Sequence, residues 1–511
     1  MQGRIQKGWK KARFYLSGLN PDSPRQFSLW PRSTFSDFTH RIWVYLAGFR
    51  QTNLKDIGTK LIEAQTLRKT LITFFALFGI LYVLDKADPF GVSRAAQSHS
   101  ESLFQKITSS FYPSGAQERI AVVLIDDQTL EGRGETWPPK YIYYEEVVRR
   151  IAKQEPAAIF LDILVEDRRS YDDSLDDAKK ALGETLAQYK VPLYLASLDG
   201  ERKSVFAEVP GTETALAGWS GYGNDYPLLV GEGNLFANSD PRLEHDEQCG
   251  NAQHATAAFQ LYQFMCAKGL QSDCPAELAQ ADTTAFCSPL TIQWGRNVSK
   301  VVPDRQLISE SQCTASESSF WQKTSDSLAS IFAALISGID REAAKRDRQP
   351  CPYAVTVREE DLATPKAQGI LKGRVVLIGS SLNGIHDMVE SPVHGQIPGV
   401  YLHAMALDNL LTWNEYYYKR ADLDLTLIAL ALVILWLAVG LIRSNPPRLS
   451  FLLHSMAIFI LFVTILIFYF LLHRPPLDWL GFLLVYELVK RLIEKNEMQP
   501  PQAEIQGETL K

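Results

Sequence analysis

The chain has 511 residues, of which 46% are hydrophobic and 11% aromatic, and this composition excludes a long disordered or low-complexity protein. The formal net charge of -6 is unevenly distributed, because residues 1–85 carry a net +8, residues 86–421 a net -13 and residues 422–511 a net -1. A basic head, an acidic middle and an apolar tail indicate a chain divided by a membrane.

Residues 1–69 form the basic head, in which Lys and Arg alternate with ten aromatic residues. This composition suits contact with an anionic inner leaflet or a cytoplasmic protein partner. We expect no nucleic-acid binding, because Pro residues interrupt the segment and no recognition fold fits it. The head contains no catalytic motif.

Four apolar runs predict transmembrane helices. Arg443 and Arg448 bracket the loop between the second and third runs, so this loop is expected in the cytoplasm. Residues 86–421 then lie outside the cytoplasm, and the head and the tail at 490–511 lie inside. The first run is also compatible with a buried helix, and the last, which is short, with an interfacial helix. The runs lie at 70–85, 424–442, 449–472 and 477–489.

The large external segment predicts an α/β fold. Short apolar strands alternate with amphipathic helices, which is typical of a parallel or mixed sheet covered by helices on both faces. Strands are predicted at 120–125, 157–164, 192–196, 290–294 and 375–378, and helices at 144–152, 174–189, 254–268, 325–346 and 398–411.

All six cysteines lie in this external segment, within or beside a stretch at about 240–350 that resembles an insertion. An even number on one side of a membrane predicts disulfides in an oxidising compartment. Six cysteines allow 15 pairings, and Cys313 with Cys351 is one candidate because the two flank a predicted helix. The alternative is six free thiols. The spacings do not favour a metal site, and no cofactor is expected. The cysteines are Cys249, Cys266, Cys274, Cys287, Cys313 and Cys351.

Polar residues follow several of the predicted strands. In an open parallel sheet, ligands bind beyond the carboxyl ends of the strands, so these residues are candidates for ligand binding. The carboxylates would hold a cation or an amine, whereas the Gly379 and serine backbone N–H groups would hold an anion. The candidates are Asp126, Asp127, Asp162, Glu166, Gly379, Ser380, Ser381 and Asp387.

Each candidate also has a structural interpretation. Asp126 would cap the following turn, and Asp162 would cap a helix or pair with a buried arginine. The glycine and serines would be ordinary turn residues. His403, alone on its predicted helix, is interpreted as structural. The sequence has no G-x-S-x-G, H-E-x-x-H or phosphate-binding loop, so we expect no enzymatic activity.

A set of motifs occurs in order along the external segment. The motifs are the strand ending at Asp126, Trp137-Pro138, FLDIL at 160–164, Asp172-Asp173, GRVVLIGSS at 373–381, Asp387, Ser391-Pro392 and PGVYLHAMALDNLL at 398–411. This ordered set resembles the type 2 CHASE domain, the cyclase/histidine-kinase-associated sensory extracellular domain. The resemblance covers about residues 90–415, and the three apolar runs that follow resemble the triple span common after this domain.

The resemblance implies a multi-pass sensor of a bacterial inner membrane, with a periplasmic domain and cytoplasmic termini. Family members typically feed a cyclase or kinase. Only about 20 residues follow the last apolar run, so we expect signal output through a separate protein partner on the head or membrane helices. The ligand would be a small molecule or a protein, and homo-oligomers are compatible with the sequence. The alternative is a membrane-anchored scaffold of an envelope assembly, with no diffusible ligand.

Overall fold

The computed structural model describes most of residues 101–419 and a short segment near residue 470. All described residues belong to one compact unit, comprising 94–424 and 454–511. The described residues are 101–198, 202–217, 225–231, 252–276, 278, 282–297, 299, 301, 319–325, 327, 353–382, 387–419, 463 and 465–473.

Most predicted membrane segments lie outside these residues. The head at 1–69, the runs at 70–85, 424–442 and 477–489 and the tail at 490–511 are not described, and 449–472 is described only at 463 and 465–472. Within the described part of the chain, no helix is both long and apolar enough to cross a membrane.

A six-stranded sheet forms the centre of the domain, in the order β4-β3-β2-β10-β1-β9. Every neighbouring pair in this sheet is parallel. The predicted parallel sheet is therefore confirmed. Its strands are β1 (Ile120–Asp126), β2 (Ala158–Leu161), β3 (Leu193–Ser197), β4 (Thr212–Leu216), β9 (Val355–Arg358) and β10 (Val375–Ser381).

Three two-stranded antiparallel sheets accompany it. Their strands are β5 (Asp225–Tyr226) with β8 (Leu290–Thr291), β6 (Leu229–Gly231) with β7 (Ala252–Ala255), and β11 (Met388–Ser391) with β12 (Gly395–Pro398). The α-helices with both ends described are α1 (Asp127–Arg133), α2 (Tyr141–Ala152), α3 (Leu175–Tyr189), α4 (Ala257–Ala267) and α5 (Val400–Trp413), and residues 101–108 and 320–325 are also helical. Short 3₁₀ helices occupy Ser109–Phe111, Gln117–Arg119, Thr284–Phe286, Glu359–Ala363, Pro365–Ala367 and Asn414–Tyr416, and a π-helix occupies Phe468–Leu472.

Helices cover both faces of the main sheet. Because side chains alternate along a strand, Ile120 and Val122 of β1 pack on one side with α4 and α5, whereas Ala121 and Val123 pack on the other with α2 and α3. The central strands are buried on both faces, which explains their continuous apolar sequences. Burial of both faces is the main stabilising contribution to this fold.

One disulfide is fully described. Cys266, near the end of α4, is bonded to Cys274, with a Cα–Cα distance of 5.7 Å. Cys287 is disulfide-bonded as well. No free cysteine occurs among the described residues, so the free-thiol alternative is wrong for these three. The suggested Cys313–Cys351 pair lies outside the described residues.

Candidate functional site

The order of the sheet reverses beside β10. The chain passes from β1 to β2 and then outward through β3 and β4, and β10 later fills the place between β1 and β2. Such a switch point leaves a crevice beyond the carboxyl ends of the strands, where ligands bind in open α/β sheets. Asp162 follows β2 directly, and its backbone N–H donates to the Ile378 carbonyl of β10 at 2.8 Å. Asp162 therefore lies at this crevice.

Two glycines bring α5 close to the same edge. Gly379 of β10 faces Val400, the first residue of α5, and a Cβ at position 379 would lie only 2.5 Å from the Val400 Cβ. A Cβ at Gly399 would overlap the Asp387 carboxylate. The backbone N–H of Gly399 also donates to the Asp387 carbonyl at 2.9 Å. The glycines thus let the beginning of α5 and Asp387 approach the end of β10.

His403 lies one turn into α5 and is buried. Its Nδ1 is 2.7 Å from the Tyr226 hydroxyl, and its Nε2 is 3.6 Å from Asp162 Oδ1. The Tyr226 oxygen accepts a hydrogen bond from the Ala258 N–H at 3.3 Å, so its own proton is available to Nδ1. We therefore assign the ring proton to Nε2, which faces Asp162. The Phe160 ring meets the imidazole edge to face, with centroids 5.6 Å apart.

Burial controls the protonation of this group. It raises the pKa of Asp162 to about 7 and lowers that of His403 to about 4, against the attraction of Asp387. Burial, followed by repulsion from Asp162, raises the pKa of Asp387 to about 6, although this residue is exposed at the rim. At neutral pH the histidine is uncharged, and Asp162 is near the midpoint of its titration.

The two carboxylates have no hydrogen-bond donor among the described residues. The Asp162 side chain is only 10% exposed, and His403 Nε2, at 3.6 Å from its Oδ1, lies beyond hydrogen-bonding distance. Within the described residues, no three His, Cys, Asp or Glu side chains are arranged to hold a metal ion. Both carboxylates are free to accept hydrogen bonds from a further group.

The remaining candidates take other positions along this edge. Asp126 caps α1 by accepting hydrogen bonds from the Thr129 N–H at 2.8 Å and hydroxyl at 2.7 Å, and it pairs with Arg358 Nε at 3.3 Å. The capping interpretation of Asp126 is therefore confirmed. Asp127 begins α1. Asp126 is the last residue of β1, which lies between β10 and β9 in the sheet, and Asp127 follows it.

Glu166 and the serines also lie near the carboxyl edge. Glu166 Oε2 is 4.0 Å from Arg202 Nη1, at the limit of an ion pair. Ser380 is buried opposite Ile125, and Ser381 is opposite Asp126. Of the eight predicted residues, Asp162 and Asp387 meet at His403, and Gly379 allows α5 to approach.

The family model of the CHASE2 domain matches residues 73–442. The chain belongs to the CHASE2 family. CHASE2 domains are extracellular sensory domains, and this assignment agrees with a sensory role and with disulfides in the domain. Comparisons with curated proteins and with solved structures give no match.

The CHASE2 domain contains a second buried polar cluster on α5, two turns or less beyond His403. Asp408 accepts hydrogen bonds from the hydroxyls of Tyr112, Tyr353 (2.6 Å) and Thr412 (3.2 Å). Burial raises the pKa of Asp408 to about 6, against the effect of these donors. Tyr112 and Tyr353 belong to other segments of the same domain, so their hydrogen bonds to Asp408 hold α5 against those segments.

Sequence reasoning did not single out Tyr226, and it interpreted His403 as structural, so neither was a candidate ligand-binding residue of the CHASE2 domain. Tyr226 begins no recognisable motif and comes from a two-residue strand. His403 stands in the PGVYLHA segment, four residues after Gly399. The available signal was its position at the start of a helix that follows a sheet edge lined with carboxylates.

Proposed function

We propose that this chain is a sensor of a bacterial inner membrane. Its periplasmic CHASE2 domain binds a small ligand at Asp162, Asp387 and His403 and signals through the membrane segments to a separate protein. One observation carries the proposal: in a member of a sensory family, two carboxylates without described donors face a buried, neutral histidine at the switch point of the sheet.

The chemistry of the site favours a ligand with an ammonium or similar cationic group. A carboxylate held in a poorly solvated place gains from a cation that also donates hydrogen bonds. Asp162 and Asp387 repel each other when both are charged, and a cation between them would relieve that repulsion. His403 Nε2 is placed to donate to an acceptor on the same ligand.

Helix α5 supplies a physical route toward the membrane. It carries His403 near its beginning and ends at Trp413, whose ring packs against Tyr418 (centroids 4.7 Å apart) and His473 (6.1 Å). The Tyr418 hydroxyl donates to the Tyr469 carbonyl. Since Tyr469 lies at the end of the apolar run 449–472, a ligand that shifts α5 would change the contacts of that run.

Thermal unfolding of the full chain in lipid nanodiscs tests the ligand site. The probes are methylammonium, ethylenediammonium and spermidine chlorides, compared with NaCl at equal ionic strength and with neutral acetamide. We expect an amine-specific rise in Tm for the wild type that is lost in Asp162→Asn. Asp173→Asn, at an exposed position beside α3, should behave as the wild type.

Two results would contradict the proposal. Equal shifts with amines and NaCl would mean that only ionic strength acts. An unchanged amine effect in Asp162→Asn would place binding elsewhere. Copurification of envelope components in a fixed ratio, with no response to any small molecule, would instead support the scaffold.

A further inference from the structure

The segment near residue 470 is apolar on two opposite sides. Ile465 and Tyr469 are buried against the domain, four residues apart as one face of a helix requires. The outer side carries no charged residue among the described positions, and Leu471 is 63% exposed. A helix that is apolar on every side belongs in a protein interior or in lipid. The exposed apolar residues are Val463, Ile467, Phe470, Leu471 and Leu472.

A second segment extends this apolar surface. Phe111 lies between Phe470 and Phe320, with ring centroids 6.0 Å and 5.9 Å from its own. Phe320 contacts Trp321, which is 78% exposed. Both residues belong to the helical segment 320–325 within the Cys-bearing insertion. The surface thus joins chain segments separated by about 150 residues in sequence.

The helical segment is fixed in this place. The Ser327 hydroxyl, which is buried, donates to the Ile107 carbonyl at 2.7 Å. Residue 107 lies in the helix at 101–108, directly before Phe111. Trp321 therefore projects from a helix anchored to the domain, and an exposed apolar surface of this kind marks a binding face.

The position of the surface favours lipid as its occupant. Residues 449–472 contain no Asp, Glu, Lys or Arg, and 24 residues of helix would span about 36 Å, more than the roughly 30 Å of a hydrocarbon core. The five exposed apolar residues all lie within the last ten positions of this run. Tryptophan prefers the interface between hydrocarbon and headgroups, which is the level expected at the end of a span.

We propose that the segment 319–325 rests at the periplasmic surface of the inner membrane, in the interface between lipid and water. Phe320 and Trp321 would lie among the lipid headgroups. The Cys-bearing insertion then holds the sensory domain against the membrane beside the run 449–472. This inference depends on the membrane placement in the proposed function but not on any ligand.

Tryptophan fluorescence of the full chain in nanodiscs tests this placement. The difference spectrum between the wild type and Trp321→Phe isolates the emission of Trp321. We expect a blue-shifted emission that loses most of its intensity when the nanodiscs contain dibrominated phosphatidylcholine. As a matched control, Tyr171→Trp in the Trp321→Phe background reports from a position that is 72% exposed in the loop before α3. Its emission should be red-shifted and unquenched.

Two results would overturn the inference. A red-shifted, unquenched Trp321 would face water, and a blue-shifted but unquenched Trp321 would be covered by a second copy of the chain. Trp436, within the apolar run 424–442, provides a separate test of membrane insertion by the same difference method. Quenching of Trp436 without quenching of Trp321 would refute only this inference. If neither tryptophan were quenched, the membrane placement in the proposed function would be refuted as well.

Discussion

Replacing Asp162 with Asn should stabilise the folded protein at alkaline pH. Burial raises the pKa of Asp162 from 3.8 to about 7, so the folded state holds this proton more tightly than the unfolded state. The stability associated with Asp162 is therefore greatest below pH 4 and is lost as pH rises toward 7. A shift of about 3 units corresponds to a cost on the order of 4 kcal/mol at pH 8, and Asn, which cannot ionise, removes it.

Thermal unfolding of the full chain at pH 5 and pH 8 measures this effect. At roughly 2 °C per kcal/mol for a domain of this size, Asp162→Asn should raise Tm by up to about 8 °C at pH 8 and by much less at pH 5. The lowered pKa of His403 destabilises both proteins in acid, so it cancels in the difference. Asp173→Asn serves as the exposed control. A Tm difference that is the same at both pH values, or a loss of stability at pH 8, would refute the reasoning.

Three further changes test the framework around the site by thermal unfolding. Gly379→Ala should lower the free energy of unfolding by about 1–3 kcal/mol, because the new Cβ overlaps the start of α5. Gly132→Ala is the control: its Cβ would lie in open space within α1, so this change should be neutral or stabilising. Tyr226→Phe should cost about 1–3 kcal/mol, because it leaves the imidazole Nδ1 without its partner; no loss would argue against that bond. Replacing Cys266 and Cys274 with Ala should cost on the order of 2–3 kcal/mol, since the bond closes a loop with a sequence separation of 8.

The sequence predicted the centre of the fold well and its edges poorly. Strands β1, β2, β3 and β10 are continuous apolar runs, because helices cover both of their faces. The edge strands β4 (TETAL) and β9 (VTVR) mix polar with apolar residues and were not predicted. An edge strand has only one neighbour and needs less apolar surface, so its sequence resembles that of a loop.

The proximity of the candidate residues was predicted in part for a similar physical reason. Asp162 and Asp387 were named as candidates because carboxyl ends of parallel strands share one edge of a sheet, and the structure brings both near His403, whereas ligand binding there stays a prediction. The contact of His403 with Tyr226 joins residues 177 positions apart. Tertiary packing alone creates that contact, and neither residue has a local pattern that reveals it.

Asp408 and Asp162, the two buried aspartates on the α5 side of the sheet, differ in whether hydrogen-bond donors surround the carboxylate. Asp408 and Asp162 both have a raised pKa because of burial. Asp408 accepts hydrogen bonds from the Tyr112 and Tyr353 hydroxyls, which offset the cost of its burial. Asp162 bears the same kind of cost with no described donor within hydrogen-bonding distance. A carboxylate kept in that state destabilises the folded domain, and the ligand proposed above would lower this cost by supplying a donor.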